Sequence, residues 1–87
     1  MDVQQKFSAL LELAQRLGIE VRDVNLGGEG GGLCQVKGKR ILFVDRDGDV
    51  PTRYARSLRD IAQLAEIDRM HVVPELREDL ISSDEAT

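Results

Sequence analysis

The stretch that most constrains this sequence is Arg40-Ile41-Leu42-Phe43-Val44-Asp45, where four consecutive apolar residues stand between charges. A strand buried on one face alternates apolar and polar side chains, whereas this one is apolar on both. It therefore reads as a central strand with both faces at least partly covered. In a chain of 87 residues the second cover is either the C-terminal segment or another subunit. That length makes one domain. A hydrophobic content of 41% is ordinary for a globular chain and excludes full disorder.

The elements around that strand follow from periodicity and punctuation. Val3, Phe7, Leu10, Leu11, Ala14 and Leu17 fall in one arc at about 100° per residue, predicting a helix over 3–17. Gly18 suits the left-handed residue that closes it. Ile19-Glu20-Val21-Arg22 alternates and β-compatible residues continue to Leu26, giving a first strand. Gly27-Gly28-Glu29-Gly30-Gly31-Gly32 holds five glycines in six residues and reads as a β-to-β loop. Leu33 to Val36 reads as a second strand, joined to Arg40–Asp45 by a turn at Lys37-Gly38-Lys39. Asp49 as cap and Pro51 in the first turn start a second helix over about 51–65. Its apolar face is Tyr54, Leu58, Ile61, Ala62 and Ala65. Met70 to Val73 is β-prone and reads as a short fourth strand, and Pro74 starts a short final helix through Ile81. The expected fold is α+β: a helix, a three-stranded antiparallel meander, a helix, then the short fourth strand and C-terminal helix. Residues 1–81 form the single domain and residues 82–87 a frayed acidic tail.

Charge and composition exclude several functions. The chain carries 12 Lys+Arg against 16 Asp+Glu, a net of −4. The excess is local: after Val73 there are five acids and one base, leaving eleven of each before it. Phe7, Phe43 and Tyr54 are the only aromatics, too few for a reader of single-stranded nucleic acid, which stacks bases on rings. Arg53, Arg56 and Arg59, with Lys37, Lys39, Arg40 and Arg46 nearby, are the candidate partner surface. Nucleic-acid contact through this arginine stripe is one use of it, although the nearby aspartates weaken it. The lone Cys34 excludes an internal disulfide and a cysteine-built zinc site, and fits a reducing compartment. The start Met1-Asp2-Val3-Gln4-Gln5 lacks the basic and apolar runs of a signal peptide, and no stretch is long and apolar enough to span a membrane. The expectation is a cytoplasmic protein.

Four motifs invite a chemical reading. Ile41-Leu42-Phe43-Val44-Asp45-Arg46-Asp47-Gly48 resembles the first motif of haloacid-dehalogenase-type phosphatases, a strand ending in Asp-x-Asp-Gly. That resemblance makes Asp45 the nucleophile and Asp47 the general acid of a magnesium-dependent phosphohydrolase. Asp49 departs from the family, which prefers Thr or Val there. Asp45, Asp47 and Asp49 also match positions 1, 3 and 5 of a calcium loop, but Val50 and Arg56 stand where Gly and Glu are required. The glycine run suggests a phosphate cradle, yet it precedes a strand rather than opening a helix, and the only Gly-Lys pair, Gly38-Lys39, lies elsewhere. His71 is the only histidine, so no triad or multi-histidine metal site forms within one chain, and no third group joins it to Cys34.

The order helix, strand, strand, strand, helix resembles ImmA/IrrE-type minimal zinc peptidases over roughly residues 5–65. The matching segments are Leu17-Gly18-Ile19-Glu20-Val21-Arg22, Gly32-Leu33-Cys34-Gln35-Val36 and Arg40-Ile41-Leu42-Phe43-Val44. In that family the following helix carries His-Glu-x-x-His. Here Arg59-Asp60-Ile61-Ala62-Gln63 stands in its place, so both zinc-binding histidines are replaced and only the acid survives, shortened, as Asp60. The resemblance implies a degenerate scaffold without the chemistry. The expectation is a non-catalytic interaction or regulatory module with no catalytic residues, no metal and no cofactor. Its partner is an unknown protein, and self-association as a homodimer is expected from the doubly apolar strand.

Overall fold

The computed structural model describes residues 1–85 as an α+β fold of three helices and a three-stranded mixed sheet. Helix α1 (Val3–Arg16) starts at Asp2, whose carboxylate accepts the Gln5 N–H at 2.8 Å while the Gln5 side chain accepts the Asp2 N–H at 3.0 Å. This reciprocal pair satisfies two N–H groups that the helix cannot. At the other end Gly18 takes φ +79°, with Gly18 N–H donating to Gln15 and Ile19 N–H to Ala14. Those two bonds define the glycine-closed end expected from the sequence. A Cβ on Gly18 would meet nothing within 4 Å, so its conformation rather than space requires glycine.

Strands β1 (Glu20–Val24), β2 (Gly32–Val36) and β3 (Lys39–Asp45) assemble in the order β1-β3-β2. The apolar strand is central, as expected, but the sheet is not an antiparallel meander. β3 runs antiparallel to β2 and parallel to β1. A two-residue turn at Lys37 (φ +52°) and Gly38 (φ +81°) closes the hairpin, the double left-handed geometry that matches strand twist. The glycine-rich connection after β1 thus passes over the end of β3 to reach the far edge, so the most apolar strand gains neighbours on both sides.

Alternation along β3 sorts its side chains. Leu42 and Val44 point to the helices and join Val21 and Leu33 in the core, whereas Ile41 and Phe43 point to the opposite face. Helix α1 packs beside β1, and α2 (Val50–Ala62) packs on β2 and β3. Both helices lie on one side of the sheet, over a core that includes Phe7, Leu10, Leu13, Leu58 and Ile61. Helix α2 starts as expected, with Asp49 accepting the Thr52 N–H at 2.8 Å and proline in the first turn. It ends three residues earlier than the periodicity suggests, because Ala65–Arg69 tightens into a 3-10 turn that buries Ile67.

The expected fourth strand is absent. Residues 70–73 form an extended connection whose carbonyls are taken by arginines: Arg77 donates to Met70 O at 2.7 Å and Arg16 to His71 O at 3.2 Å. A segment whose acceptors are already occupied gains little from a sheet edge. Helix α3 (Pro74–Glu85) runs past the end expected at Ile81, and residues 86–87 of the expected tail lie outside the described residues. It packs on α2 and α1 through Leu76 and Leu80, so among the described residues no helix packs on the outer face of the sheet.

One polar knot ties the three helices together. Asp79 of α3 accepts the Tyr54 hydroxyl at 2.7 Å and the Lys6 ammonium at 3.0 Å. The Tyr54 hydrogen bond, aided by Lys6, holds the Asp79 carboxyl below its usual value, while burial and Asp79 push the Tyr54 phenol up. A carboxyl with a lowered folded pKa contributes stability above its unfolded value of 3.8 and loses it as pH falls through the folded one. Tyr54→Phe is expected to cost about 1 kcal/mol near neutral pH. That difference from wild type should shrink in urea denaturation as pH falls through and below the unfolded value of 3.8; a pH-independent difference would contradict the role of the Asp79 charge.

Candidate functional site

The end of β3 is where the sequence motifs converge, and the structure uses them in an unexpected way. Asp45 is buried, 3% exposed, beneath the glycine loop. Its Oδ1 accepts the backbone N–H of Leu26 at 2.9 Å and of Asp47 at 3.0 Å. Its Oδ2 accepts the N–H of Gly28 at 2.7 Å and of Gly30 at 2.9 Å. Burial alone would raise this carboxyl, but four amide donors outweigh it and hold Asp45 below its usual value. The glycine run is indeed an anion cradle, and the anion in it belongs to the chain. The loop also needs its glycines for space: a Cβ on Gly31, at φ +105°, would lie 2.9 Å from the Phe43 carbonyl oxygen.

The neighbouring acids are engaged in similar ways. Asp47 accepts the Gly27 N–H at 2.9 Å, and Asp49 caps α2. Asp45, Asp47 and Asp49 thus turn oxygens toward backbone donors, the opposite of a cation's requirement. Among the described residues no group of three or more His, Cys, Asp or Glu side chains is arranged to hold a metal ion. Cys34 is exposed on β2, and His71 is exposed in the connection before α3.

On α2, Asp60 accepts the Leu33 N–H of β2 at 2.8 Å. This bond caps a donor on the outer edge of β2, and it occupies the residue that the peptidase resemblance would make a base. Arg59 and Gln63 are exposed, where that resemblance places metal ligands. The candidate surface of Arg53, Arg56 and Arg59 is not a single patch, because three-residue steps spread it over about 120° of the helix. Arg53 stacks its guanidinium over the Phe7 ring, 5.6 Å from the centroid, with its Nε buried and unbonded. Arg56 is half-buried, and Arg59 alone is well exposed.

The surface that the sequence reading did not resolve into residues is the outer face of the sheet. Register places Glu20, Arg22 and Val24 of β1, Ile41 and Phe43 of β3, and Gly32, Cys34 and Val36 of β2 on that face. It has two halves. At the hairpin end Glu20 pairs with Arg22 and, at 3.9 Å, with Lys39; Glu20 is the register partner of Ile41, which is only 4% exposed. Charged side chains with long aliphatic stems flank this half of the strand. At the glycine-loop end Val24, Leu26, Gly31, Gly32, Cys34 and Phe43 line an open, mainly apolar groove of about 370 Å³. Leu26 remains 47% exposed beside it. The doubly apolar strand was the signal for this face, but its neighbours depended on a strand order that periodicity does not encode. Comparison with family models, with curated proteins and with solved structures finds no match.

Two outcomes follow from the occupied acids. Asp60→Ala should speed exchange of the Leu33 amide about tenfold and cost about 1 kcal/mol, read by hydrogen exchange and chemical denaturation; an unchanged Leu33 amide would deny Asp60 its capping role. Protein purified without a histidine tag should hold substoichiometric zinc after dialysis, because Arg59 and Gln63 are poor ligands. One zinc per chain in elemental analysis would overturn that reading of α2.

Proposed function

We propose that this chain is a non-catalytic interaction module that receives an amphipathic helix of a partner protein on the apolar half of its open sheet face. The observation that carries the reading is the groove of Val24, Leu26, Gly31, Gly32, Cys34 and Phe43, apolar and, among the described residues, left bare by the helices. A sheet with helices on one face completes a three-layer arrangement by taking a helix on the other.

Size favours a helix over a second copy. Two five-residue strands flanking one of seven make a face about 14 Å wide and roughly 20 Å long. That matches one helix about 10 Å across, but falls short of the roughly 800 Å² per partner of a standard stable interface. Charge supports an orientation. The hairpin end carries Arg22, Lys37 and Lys39 against Glu20, favouring acidic residues at that end of the incoming helix. The engaged oxygens of Asp45 and Asp47 support a module without phosphohydrolase chemistry. The replaced ligands at Arg59 and Gln63 do the same for peptidase chemistry, and the peptidase resemblance is read as a scaffold put to binding use. An exposed free thiol suits a reducing compartment, and we assign the module to the cytoplasm.

Cys34 supplies the test, being the only cysteine and lying in the groove. A photo-crosslinker attached there should capture residues of one amphipathic helix in native extract. Leu26→Asp should abolish the capture while leaving the melting temperature nearly unchanged. Crosslinks confined to a second copy, with a dimer in sedimentation, would replace the helix by self-association; capture unaffected by Leu26→Asp would remove the groove as the contact surface.

A further inference from the structure

The glycine loop has the physical form of a ligand site. The backbone N–H groups of Leu26, Gly28 and Gly30, at alternate positions, converge with that of Asp47 on one carboxylate at 2.7–3.0 Å. Each oxygen receives two of the four donors. Converging amides of this kind, in turns with left-handed residues, form anion-binding concavities. Gly27 and Gly28 supply such residues here, at φ +84° and +94°.

We propose that residues 26–30 form a carboxylate-binding nest occupied from within by Asp45, and that this nest accepts a small free carboxylate when the Asp45 carboxylate is removed. The donors are main-chain groups, so they persist whatever side chain stands at position 45. Asp45 lies outside the apolar cluster that holds the helices to the sheet, so the fold has its own support. The loop has a further tie at Gly27, whose N–H donates to Asp47, and Gly31 passes close over Phe43 O. Four converging, part-buried donors left without an acceptor are a cost that a matching anion relieves. The ligand class follows from the two-by-two division of donors, which suits the two coplanar oxygens of a carboxylate. The same seat positions Leu26 and Gly31 as a wall of the apolar groove, so Asp45 is a positioning residue for that surface.

Asp45→Ala with formate tests the proposal, because alanine keeps the Cβ and formate restores the missing carboxylate. In the variant the Gly28 and Gly30 amides should exchange about tenfold faster than in wild type. Formate should restore their protection and their amide proton shifts saturably, whereas chloride and inorganic phosphate at equal ionic strength should not, and wild type should not respond to formate. Unchanged protection in the variant, or no saturable response to formate, would overturn the proposal. If Asp45→Ala refolds poorly, formate-dependent recovery of the native circular dichroism, absent with chloride, supports the nest, and no recovery refutes it. In wild type the Gly28 and Gly30 amides should be better protected than that of Glu29; equal protection would also refute it. These readouts involve no partner, so they fail or succeed separately from the helix-docking function.

Discussion

The crossing of the glycine loop over the end of β3 is the constraint that sets the sheet order, and the Asp45 carboxylate is where the crossing amides find their acceptors. A connection from β1 to β2 that crosses the end of β3 must lay its backbone across that strand, away from any ladder that could bond it. Backbone donors in such a crossing need acceptors. Asp45 stands where the crossing occurs and supplies both oxygens at once. Asp47 adds a third acceptor at Gly27. Glycine makes the approach geometrically open, and the aspartates make it energetically tolerable. With the crossing secured, β3 takes the centre and its inward residues Leu42 and Val44 are buried by neighbours on both sides.

The same logic, charged side chains bonding main-chain groups, runs through the rest of the chain. Arg40 donates to Leu17 O at 2.7 Å at the end of α1 and pairs with Glu66 at 2.8 Å, tying the 3-10 turn to the sheet. Arg16 and Arg77 hold the connection before α3. A chain this small has limited apolar surface to bury, and its three aromatics add little bulk. Hydrogen bonds from long side chains to loop carbonyls order segments that the core does not reach. Exposed ion pairs contribute little by themselves, so the value of these arginines lies in the carbonyls they satisfy.

Local signals in the sequence were faithful where local physics decides. Gly18 closes α1, Asp49 and Pro51 open α2, Lys37-Gly38 turns the hairpin, and the four apolar residues of β3 lie at the centre. The departures occur where partners distant in sequence decide. A glycine-rich link between two strands reads as a hairpin, since the simplest connection joins neighbours; only the seat at Asp45, some fifteen to nineteen residues away, reveals the crossing. Met70 to Val73 has strand composition, but Arg16 and Arg77 take its carbonyls first. The acids at the end of β3 were legible as a cluster with a purpose. Their purpose was illegible, because Asp-x-Asp-Gly after an apolar strand serves phosphoryl chemistry when the oxygens are free and loop closure when they are not.

A catalytic-looking motif and an apolar groove share this one strand end. Asp45 lies on the same side of β3 as Phe43, by alternation, and its carboxylate faces the loop rather than solvent. Loop closure over the carboxylate removes the one strong charge from that end of the face. What remains exposed is apolar: Leu26 beside Val24, Cys34 and Phe43. At the opposite end no loop covers the strands, and Glu20, Arg22 and Lys39 stand over the sheet instead. The face therefore becomes polar at one end and apolar at the other through two different treatments of charge, enclosure of a carboxylate by backbone amides and pairing between side chains. An apolar patch of limited extent, bordered by paired charges, can bind a partner while avoiding the non-specific association that a uniformly apolar face would invite.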